Sequence, residues 1–185
     1  LSLGARNLEA LEALKKELIV AGHQVIVTKT DVSIEADCKQ LIDNTVKQFG
    51  RIDILINNAG ISMRSLFKDV EIGVLRQLME VNFWGAVYCT KHALPYLLAA
   101  KGSVVGISSI AGFIGLPGRT GYSASKFAMH GFLETLRTEN LKTGLHVLIA
   151  APGFTASNVR KAALTAKGAQ QGETPRAEEK MMSAE

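Results

Sequence analysis

Tyr122 and Lys126 stand four residues apart in a segment whose apolar spacing predicts a helix. Residues at this spacing lie on one face of a helix, one turn apart, so a phenol and an ammonium should be neighbours. A phenol has an ordinary pKa near ~10, and a nearby ammonium favours its ionised form, which makes a tyrosine usable as a general acid or base. The other interpretation is an amphipathic tyrosine beside a solvated lysine, and the pair alone does not exclude it.

Small and amide-bearing residues follow three predicted strands. The strands are predicted at 52–56, 103–107 and 145–150, and they are followed by Asn57-Asn58-Ala59-Gly60, Ser108-Ser109 and Pro152-Gly153. Ligands of open parallel sheets bind outside the carboxyl ends of the strands, so these positions are candidates for contact with a flat ligand lying across that edge. Taken one at a time, they are also ordinary turn residues.

The elements that would position these groups alternate along the chain. Periodicity and β-branched composition predict helix 8–21, strand 24–28, helix 34–49, strand 52–56, helix 74–100, strand 103–107, helix 122–142 and strand 145–150. Asn7 and Ser33 are the predicted N-caps of the first two helices, Gly50 ends the second, and Pro95 is expected to interrupt the long helix. The alternation predicts an α/β fold, a single Rossmann-like domain with a doubly wound parallel sheet and helices on both faces.

Composition bounds the class of protein. The 185 residues, 47% hydrophobic and 21% charged, match one globular domain. No apolar run approaches the ~20 residues of a membrane span, and charges at Arg6 and Glu9 are unlike a signal peptide, so we expect a cytoplasmic protein. The net charge of +4 comes without a block of Lys or Arg, which argues against nucleic acid as a partner. Cys38, Cys89 and the scattered histidines lack metal-ligand spacing, so we expect no metal site.

Ser109, Tyr122 and Lys126 follow one another at a spacing that, together with NNAG at 57–60 and Asn82, resembles the short-chain dehydrogenase/reductase family. The resemblance runs from residue 3 to residue 155, in the segments DVS, FGRIDILINNAGIS, MEVNFWG, GISSIAG, YSASKFAMHGFLETLR and VLIAAPGFTAS. It implies that Asn82, Ser109, Tyr122 and Lys126 are the catalytic residues.

The family's chemistry implies one role for each of these residues. Tyr122 would exchange a proton with the substrate oxygen while hydride moves to or from nicotinamide, and Ser109 would hydrogen-bond the same oxygen. Lys126 would support the tyrosine and bind the nicotinamide ribose, and Asn82 would anchor a water that links Lys126 to solvent. The resemblance thus implies an NADP-dependent oxidoreductase that interconverts a carbonyl and a secondary alcohol. The alternative is a non-catalytic dinucleotide-binding or scaffold protein of the same fold.

The resemblance also implies cofactor contacts at the strand ends. They are Asp31, Val32, Asn58, Ala59, Gly60, Tyr122, Lys126, Pro152, Gly153 and Thr155. Arg6 follows the position where NAD-preferring members carry an acid, which here is Ala5, and an arginine suits the 2′-phosphate of NADP. NADP is therefore the expected cofactor, with NAD as the alternative. The alternative for Arg6 is a surface residue near the start of a helix.

Two parts of the family pattern have no counterpart in the sequence. These are the first strand with its glycine-rich diphosphate loop, and the last strand with its helix. Gly112, Gly115 and Gly118 do not replace that loop, because their spacing differs and Pro117 lacks an N–H. We expect 1–185 to be a piece of a longer protein, one domain incomplete at both ends. The alternative is a degenerate relative that cannot bind dinucleotide.

Substrate and partners are implied only in outline. The apolar residues expected around the substrate are Ile61, Met63, Phe113, Ile114, Leu116 and Phe154. They favour a small apolar carbonyl or alcohol, and the motifs look closest to family members acting on steroid, retinoid or lipid carbonyls. Residues 165–183 are polar with Gly and Pro, which predicts a mobile loop on the substrate side or a plain solvated loop. Pairing of the two long helices between subunits, common in the family, implies a homodimer or homotetramer.

Overall fold

Strands and helices alternate along the chain in the computed structural model, which describes residues 1–153, 155 and 157–172. The elements are β1 (Ser2–Ala5), α1 (Leu8–Val20), β2 (Ile26–Lys29), α2 (Glu35–Phe49), β3 (Ile54–Asn57), α3 (Ile72–Met79), α4 (Gly85–Ala100), β4 (Ser103–Ile107), α5 (Thr120–Glu139) and β5 (His146–Ala150). A π-helical turn (Glu80–Trp84) joins α3 to α4, and a 3₁₀ turn (Ile110–Gly112) follows β4. The predicted α/β alternation is confirmed.

All strand pairs in the described part of the chain are parallel, so every strand presents its carboxyl end at the same edge of its sheet. Hydrogen bonding groups them as β1-β2 and as β3-β4-β5. The β4–β5 register runs from Ser103 opposite His146 to Ile107 opposite Ala150. Within the described residues, β3 has a strand partner on one side only, and its Ile54 and Ile56 are 62% and 59% exposed.

The main hydrophobic core lies between the three-stranded sheet and the helices α4 and α5. Its buried members are Ile42, Ile52, Ala86, Ala93, Leu97, Val104, Met129, Leu133, Leu136, Leu145 and Val147. Gly106 in the middle of β4 faces Met129 and Leu133 of α5, and a Cβ at this position would overlap Leu133. The helix therefore lies close against the strand, which fixes the height of the α5 side chains above the sheet edge.

Two predicted helix ends are confirmed and one predicted cap is wrong. Asn7 caps α1, with its Oδ1 accepting from the backbone N–H of Ala10 at 3.0 Å. Gly50 ends α2 in the left-handed region, at φ 72°. Ser33 does not cap α2, because the helix begins one residue later with Ile34 as its N-cap. The Ser33 hydroxyl donates to Asp31 Oδ1 at 2.6 Å.

The interruption of the long helix lies at Glu80–Trp84 and not, as predicted, near Pro95. Pro95 sits inside α4, where its missing N–H removes one helical hydrogen bond without ending the helix. A π-turn adds a residue to the helical register, and such turns are frequent at functional sites. This one carries Asn82 at its centre.

The chain after β5 folds back onto the loop that follows β3. Leu164 bridges both Met63 and Gln170, and Thr165 N donates to Ala169 O at 2.7 Å. Residues 165–172 thus form a turn held by backbone hydrogen bonds. The rest of the predicted mobile loop, 173–183, lies outside the described residues, and its mobility stays a prediction. None of the helices within the described ranges has the length and apolarity needed to cross a bilayer.

Candidate active site

Tyr122 and Lys126 lie in the first two turns of α5, on the face that meets the end of β4. Lys126 is only 3% exposed, and its Nζ donates to the backbone oxygen of Ile107, the last residue of β4, at 2.8 Å. The same Nζ lies 5.8 Å from the centre of the Tyr122 ring. The predicted neighbourhood of phenol and ammonium is confirmed, and Lys126 is not a solvated surface lysine.

Burial changes the proton affinity of Lys126. Desolvation in the interior lowers the pKa of its ammonium from 10.5 to about 8. The hydrogen bond to a neutral carbonyl does not restore the lost hydration, which is why the shift is downward. The group is therefore still cationic near neutral pH but is poised to release its proton at mildly alkaline pH.

Asn82 is fully buried and ties three segments together. Its Nδ2 donates to Ile61 O and to Ser125 Oγ, both at 2.9 Å, and its Oδ1 accepts from Ile61 N at 2.8 Å. Ser125 is the residue before Lys126, and its hydroxyl also donates to Tyr122 O at 2.8 Å. The amide thus links the loop after β3 to the helix that carries the candidate acid–base pair. Both Nδ2 hydrogens are used within the chain.

The loop after β3 reaches Lys126 at Gly60. A Cβ at this position would lie 3.4 Å from Asn82 Oδ1 and 3.6 Å from Lys126 Nζ, so the glycine keeps the approach to the ammonium open. Asn58, Ala59 and Gly60 are exposed at the sheet edge. Asn57 differs from them, because it is buried and its Nδ2 donates to Thr90 Oγ1 at 3.0 Å.

Ser109 lies two residues beyond β4 and is half-buried. It is the N-cap of the 3₁₀ turn, with its Oγ accepting from Ala111 N at 3.3 Å. β4 therefore ends at Ile107, whose carbonyl accepts from Lys126, and Ser109 follows two residues later. The structure brings Ser109 to the same strand end as the α5 pair.

His130 supports the loop that begins with Ser109, a role that sequence reasoning missed. Its Nε2 lies 2.6 Å from Ser108 Oγ in a buried hydrogen bond, and the Phe113 ring stands edge-on to it with centroids 4.5 Å apart. Gly112 touches the imidazole, so a larger residue would not fit there. Burial lowers the pKa of His130, which favours the neutral ring. The available signal was its spacing, one turn beyond Lys126 on the same helix face.

An apolar cluster forms one wall beside Tyr122. Its buried members are Met63, Val74, Leu78 and Leu164, with Ile61, Val70, Leu75 and Tyr122 packed against them. Phe113 and Ile114, expected around the substrate, are 61% and 58% exposed on the loop after β4. Phe154, also expected there, lies outside the described residues.

The remaining predicted cofactor residues lie at the carboxyl ends of β1, β2 and β5. Asp31 follows β2 and accepts from the backbone N–H and hydroxyl of Ser33, which lower the pKa of its carboxyl, with a smaller contribution from Arg6. Arg6 is exposed directly after β1, and Val32 is backed by Gly85 of α4.

Pro152 and Gly153 are exposed after β5, and Thr155 Oγ1 reaches Gly153 O at 3.5 Å. The candidate cofactor residues therefore follow the carboxyl ends of strands in both sheets, and the residues after β3 and β5 are exposed. Within the described residues, no glycine-rich strand-to-helix loop supplies a cradle for a diphosphate.

Sequence comparison finds one family over most of the chain. The profile of the family described as short chain dehydrogenase matches residues 1–168. The chain is 42% identical over 163 residues to 11-beta-hydroxysteroid dehydrogenase A of Arachis hypogaea, covering 87% of this chain and 46% of that protein. It is 38% identical over 177 residues to dehydrogenase/reductase SDR family member 7B of Mus musculus, covering 93% and 55%. The chain thus spans about half the length of the curated relatives it matches.

Solved structures share the fold. An alcohol dehydrogenase from the archaeon Thermococcus sibiricus, complexed with 5-hydroxy-NADP, superposes with a TM-score of 0.85 at 22% identity, over 97% of this chain and 72% of that one. A short chain dehydrogenase/reductase from Burkholderia phymatum, in complex with NAD, gives a TM-score of 0.81 at 26% identity, over 85% and 58%. These likenesses agree with a Rossmann-like arrangement of the five strands and their helices.

Proposed function

The chain belongs to the short-chain dehydrogenase family, and from this premise we propose that the protein carrying it is an NADP-dependent oxidoreductase that interconverts a carbonyl and a secondary alcohol. One observation carries the proposal. Lys126 is buried against the end of β4, with its Nζ 5.8 Å from the centre of the Tyr122 ring. A buried cation costs free energy, so its place beside a phenol points to proton chemistry.

The proposed mechanism assigns the proton to Tyr122. Its hydroxyl donates to the substrate oxygen as a carbonyl becomes an alcohol and accepts that proton in the reverse direction. Ser109 donates a hydrogen bond to the same oxygen and fixes its position. Bound nicotinamide supplies or accepts the hydride.

Lys126 and Asn82 support this exchange in different ways. With a pKa of about 8, Lys126 remains a cation at neutral pH and stabilises negative charge developing on the phenol oxygen. Asn82 binds Ile61 in the loop after β3 and Ser125, the residue before Lys126. It thereby fixes the position of this loop relative to Lys126. The relay water implied by the resemblance remains part of the proposal.

NADP is the proposed cofactor. Arg6 stands exposed after β1 with Asp31 nearby, a position from which its guanidinium would meet a 2′-phosphate. Asp31 and Val32 would flank the adenine, and residues 58–60 would lie near the adenine ribose. Pro152, Gly153 and Thr155 would meet the nicotinamide end. The solved relatives named above hold a nicotinamide dinucleotide, one an NADP derivative and one NAD. A comparison of kcat/KM for NADPH and NADH tests the choice, and a preference for NADH would contradict it.

The proposed substrate is a small carbonyl compound or alcohol with an apolar body. The partly buried apolar residues Ile61, Val70 and Leu75, which pack in the same cluster as Tyr122, support this. The names of the hydroxysteroid dehydrogenases to which the chain is similar support it as well.

We also propose that the protein is a homo-oligomer. Four ring side chains form an aromatic face on the π-turn, α4 and α5: Phe83, Trp84, Tyr88 and Phe132. Trp84, the only tryptophan in the sequence, is 40% exposed. A second copy of the chain would cover this large apolar side chain. Trp84→Glu should lower the molar mass measured by light scattering. Phe67→Glu, at a residue 64% exposed elsewhere, is the control and should leave the mass unchanged.

The experiment for the function compares wild type with Tyr122→Phe. Loss of the hydroxyl should lower kcat for NADPH-dependent reduction of a panel of aldehydes and ketones by about 10²–10⁴-fold, with an unchanged melting temperature. Tyr96→Phe on α4 is the matched control and should keep full activity. Retention of most activity in Tyr122→Phe would contradict the mechanism, and NADPH binding without any turnover in wild type would favour the scaffold alternative.

A further inference from the structure

Two arginines, Arg64 and Arg119, are brought together near Tyr122 by the pairing of Ser65 N with Gly118 O at 3.0 Å. Burial lowers the pKa of Arg119, and the charges of Arg160 and Arg64 lower it further, while Tyr122 acts in the opposite direction. Arg119 is therefore close enough to interact electrostatically with Arg64, with Arg160 and with the candidate acid. We call Arg64 and Arg119 the arginine cluster.

Arg119 immediately precedes α5, three residues before Tyr122. Its Nη1 donates to Ser62 Oγ and to Met63 O, both at 2.6 Å. Both acceptors are neutral, although a guanidinium offers five donors in a fork that matches an oxyanion. The side chain is half-buried, so its charge is partly desolvated.

Arg64 is held beside Arg119 by backbone pairing. Its N–H donates to Leu164 O at 2.9 Å, and the next residue, Ser65, donates to Gly118 O at 3.0 Å. Its Nη2 donates to Gln171 Oε1 at 3.3 Å, again a neutral acceptor. Among residues 1–153, 155 and 157–172, neither Arg64 nor Arg119 forms an ion pair with a carboxylate.

Apolar residues lie beside the charged arginine cluster. Met63 and Leu164, which bridge each other between the loop after β3 and the chain after β5, belong to the apolar wall beside Tyr122. Arg64 and Arg119, held on neutral acceptors beside this apolar wall, suit a ligand with an apolar body and an anionic end.

We infer that the arginine cluster binds an oxyanion, a carboxylate, phosphate or sulfate, carried by the substrate whose carbonyl or alcohol reacts at Tyr122. The inference rests on the proposed function and narrows its substrate class to anionic amphipathic carbonyl compounds. Arg64 and Arg119 would be specificity-determining residues, and their contribution would appear in the KM for anionic substrates.

A matched substrate pair tests the inference on the protein carrying this chain. The probes are 4-formylbenzoate, which is anionic, and its neutral methyl ester, each reduced with NADPH. We expect kcat/KM at least tenfold higher for the anion, with the preference shrinking as salt is raised. Arg64→Gln should lower kcat/KM for the anion by about tenfold or more, as expected for a lost charge-assisted hydrogen bond, and leave the ester within about twofold. Arg76→Gln, at an exposed arginine of α3, is the control and should change neither.

Binding measurements separate this inference from the proposed function. Calorimetric titration with the alcohol 4-(hydroxymethyl)benzoate should show binding that Arg64→Gln weakens at least tenfold and that the methyl ester of the alcohol does not reproduce. If turnover is absent but this arginine-dependent binding is present, the proposed reaction is wrong and the anion site stands. Equal use of anion and ester, or an equal loss for both in Arg64→Gln, would overturn the inference, and so would the absence of arginine-dependent binding.

Discussion

The two sides of the α5 N-terminus differ in how their polar groups are held. Towards the sheet, Lys126, Asn82 and Ser125 are buried, and their hydrogen bonds end on other groups of the chain. Towards the open edge, the candidate cofactor residues at 58–60 and 152–153 are exposed. The difference shows that the candidate proton-transfer residues are fixed by the fold itself, whereas the candidate ligand-binding residues are fixed mainly by the backbone of the strand ends. Mutations on the two sides should therefore fail in different ways.

The largest expected effect on the buried side is at Asn82. Asn82→Leu leaves the backbone groups of Ile61 and the hydroxyl of Ser125 without their partner, and each unmade buried hydrogen bond costs about 1–3 kcal/mol. We expect the free energy of unfolding to fall by about 3 kcal/mol, with loss of activity, in a urea titration followed by circular dichroism. Asn158→Ala, at an exposed asparagine, is the control and should stay within about 0.5 kcal/mol. Equal stabilities for the two variants would break the contrast between the two sides.

A smaller effect follows from the pKa of Lys126. Between about pH 8 and pH 10.5 the unfolded chain keeps a proton that the folded protein has released, so the free energy of unfolding rises with pH through this window. Relative to Lys126→Met, wild type should gain about 2 kcal/mol between pH 7 and pH 10. Parallel titrations of Lys91→Met, at an exposed lysine of α4, supply the control. A pH-independent difference between wild type and Lys126→Met would show that Lys126 is not buried as described.

The smallest expected effect is at His130, a buried residue that supports the loop carrying Ser109. His130→Ala removes the hydrogen bond to Ser108 and the packing of Phe113, and so loosens the loop that carries Ser109. We expect kcat to fall about tenfold, a cost of ~1.4 kcal/mol in the barrier, with KM for the carbonyl substrate nearly unchanged. His130→Gln, which keeps a polar nitrogen in reach of Ser108, should restore most of the rate. If alanine and glutamine variants lose the same activity, the hydrogen bond does not position the loop.

Much of this arrangement could be predicted from the sequence because its signals are local. The spacing of Tyr122 and Lys126 follows from one helical period, and the strand ends follow from β-branched segments bounded by turn residues. The cap at Asn7 and the stop at Gly50 are likewise decided within a few residues.

The features that the sequence did not predict depend on distant partners. The π-turn at 80–84 is recognisable only once Asn82 meets Ile61 and Ser125, which lie 21 and 43 positions away. The Ser33 cap is the exception, because it was lost to a local contact: Asp31, two residues earlier, accepts the Ser33 hydroxyl and the helix begins one residue later.

The arginine cluster is the extreme case. Arg119 reaches Ser62 and Met63 across 57 and 56 positions, and Arg64 meets Gln171 across 107. Periodicity and local spacing carry no information on such pairs, so their proximity appears only in the folded chain.

The most direct test of the central claim follows the hydride and the proton together. NADPH deuterated at C4 of the nicotinamide, supplied as each of its two stereoisomers, is incubated with the protein and a carbonyl substrate, and the alcohol product is analysed by mass spectrometry. The account predicts deuterium on the carbinol carbon from one stereoisomer only, at a rate that falls by about 10²-fold or more in Tyr122→Phe. Unlabelled alcohol from both stereoisomers, or labelled alcohol formed equally fast by the variant, would contradict it.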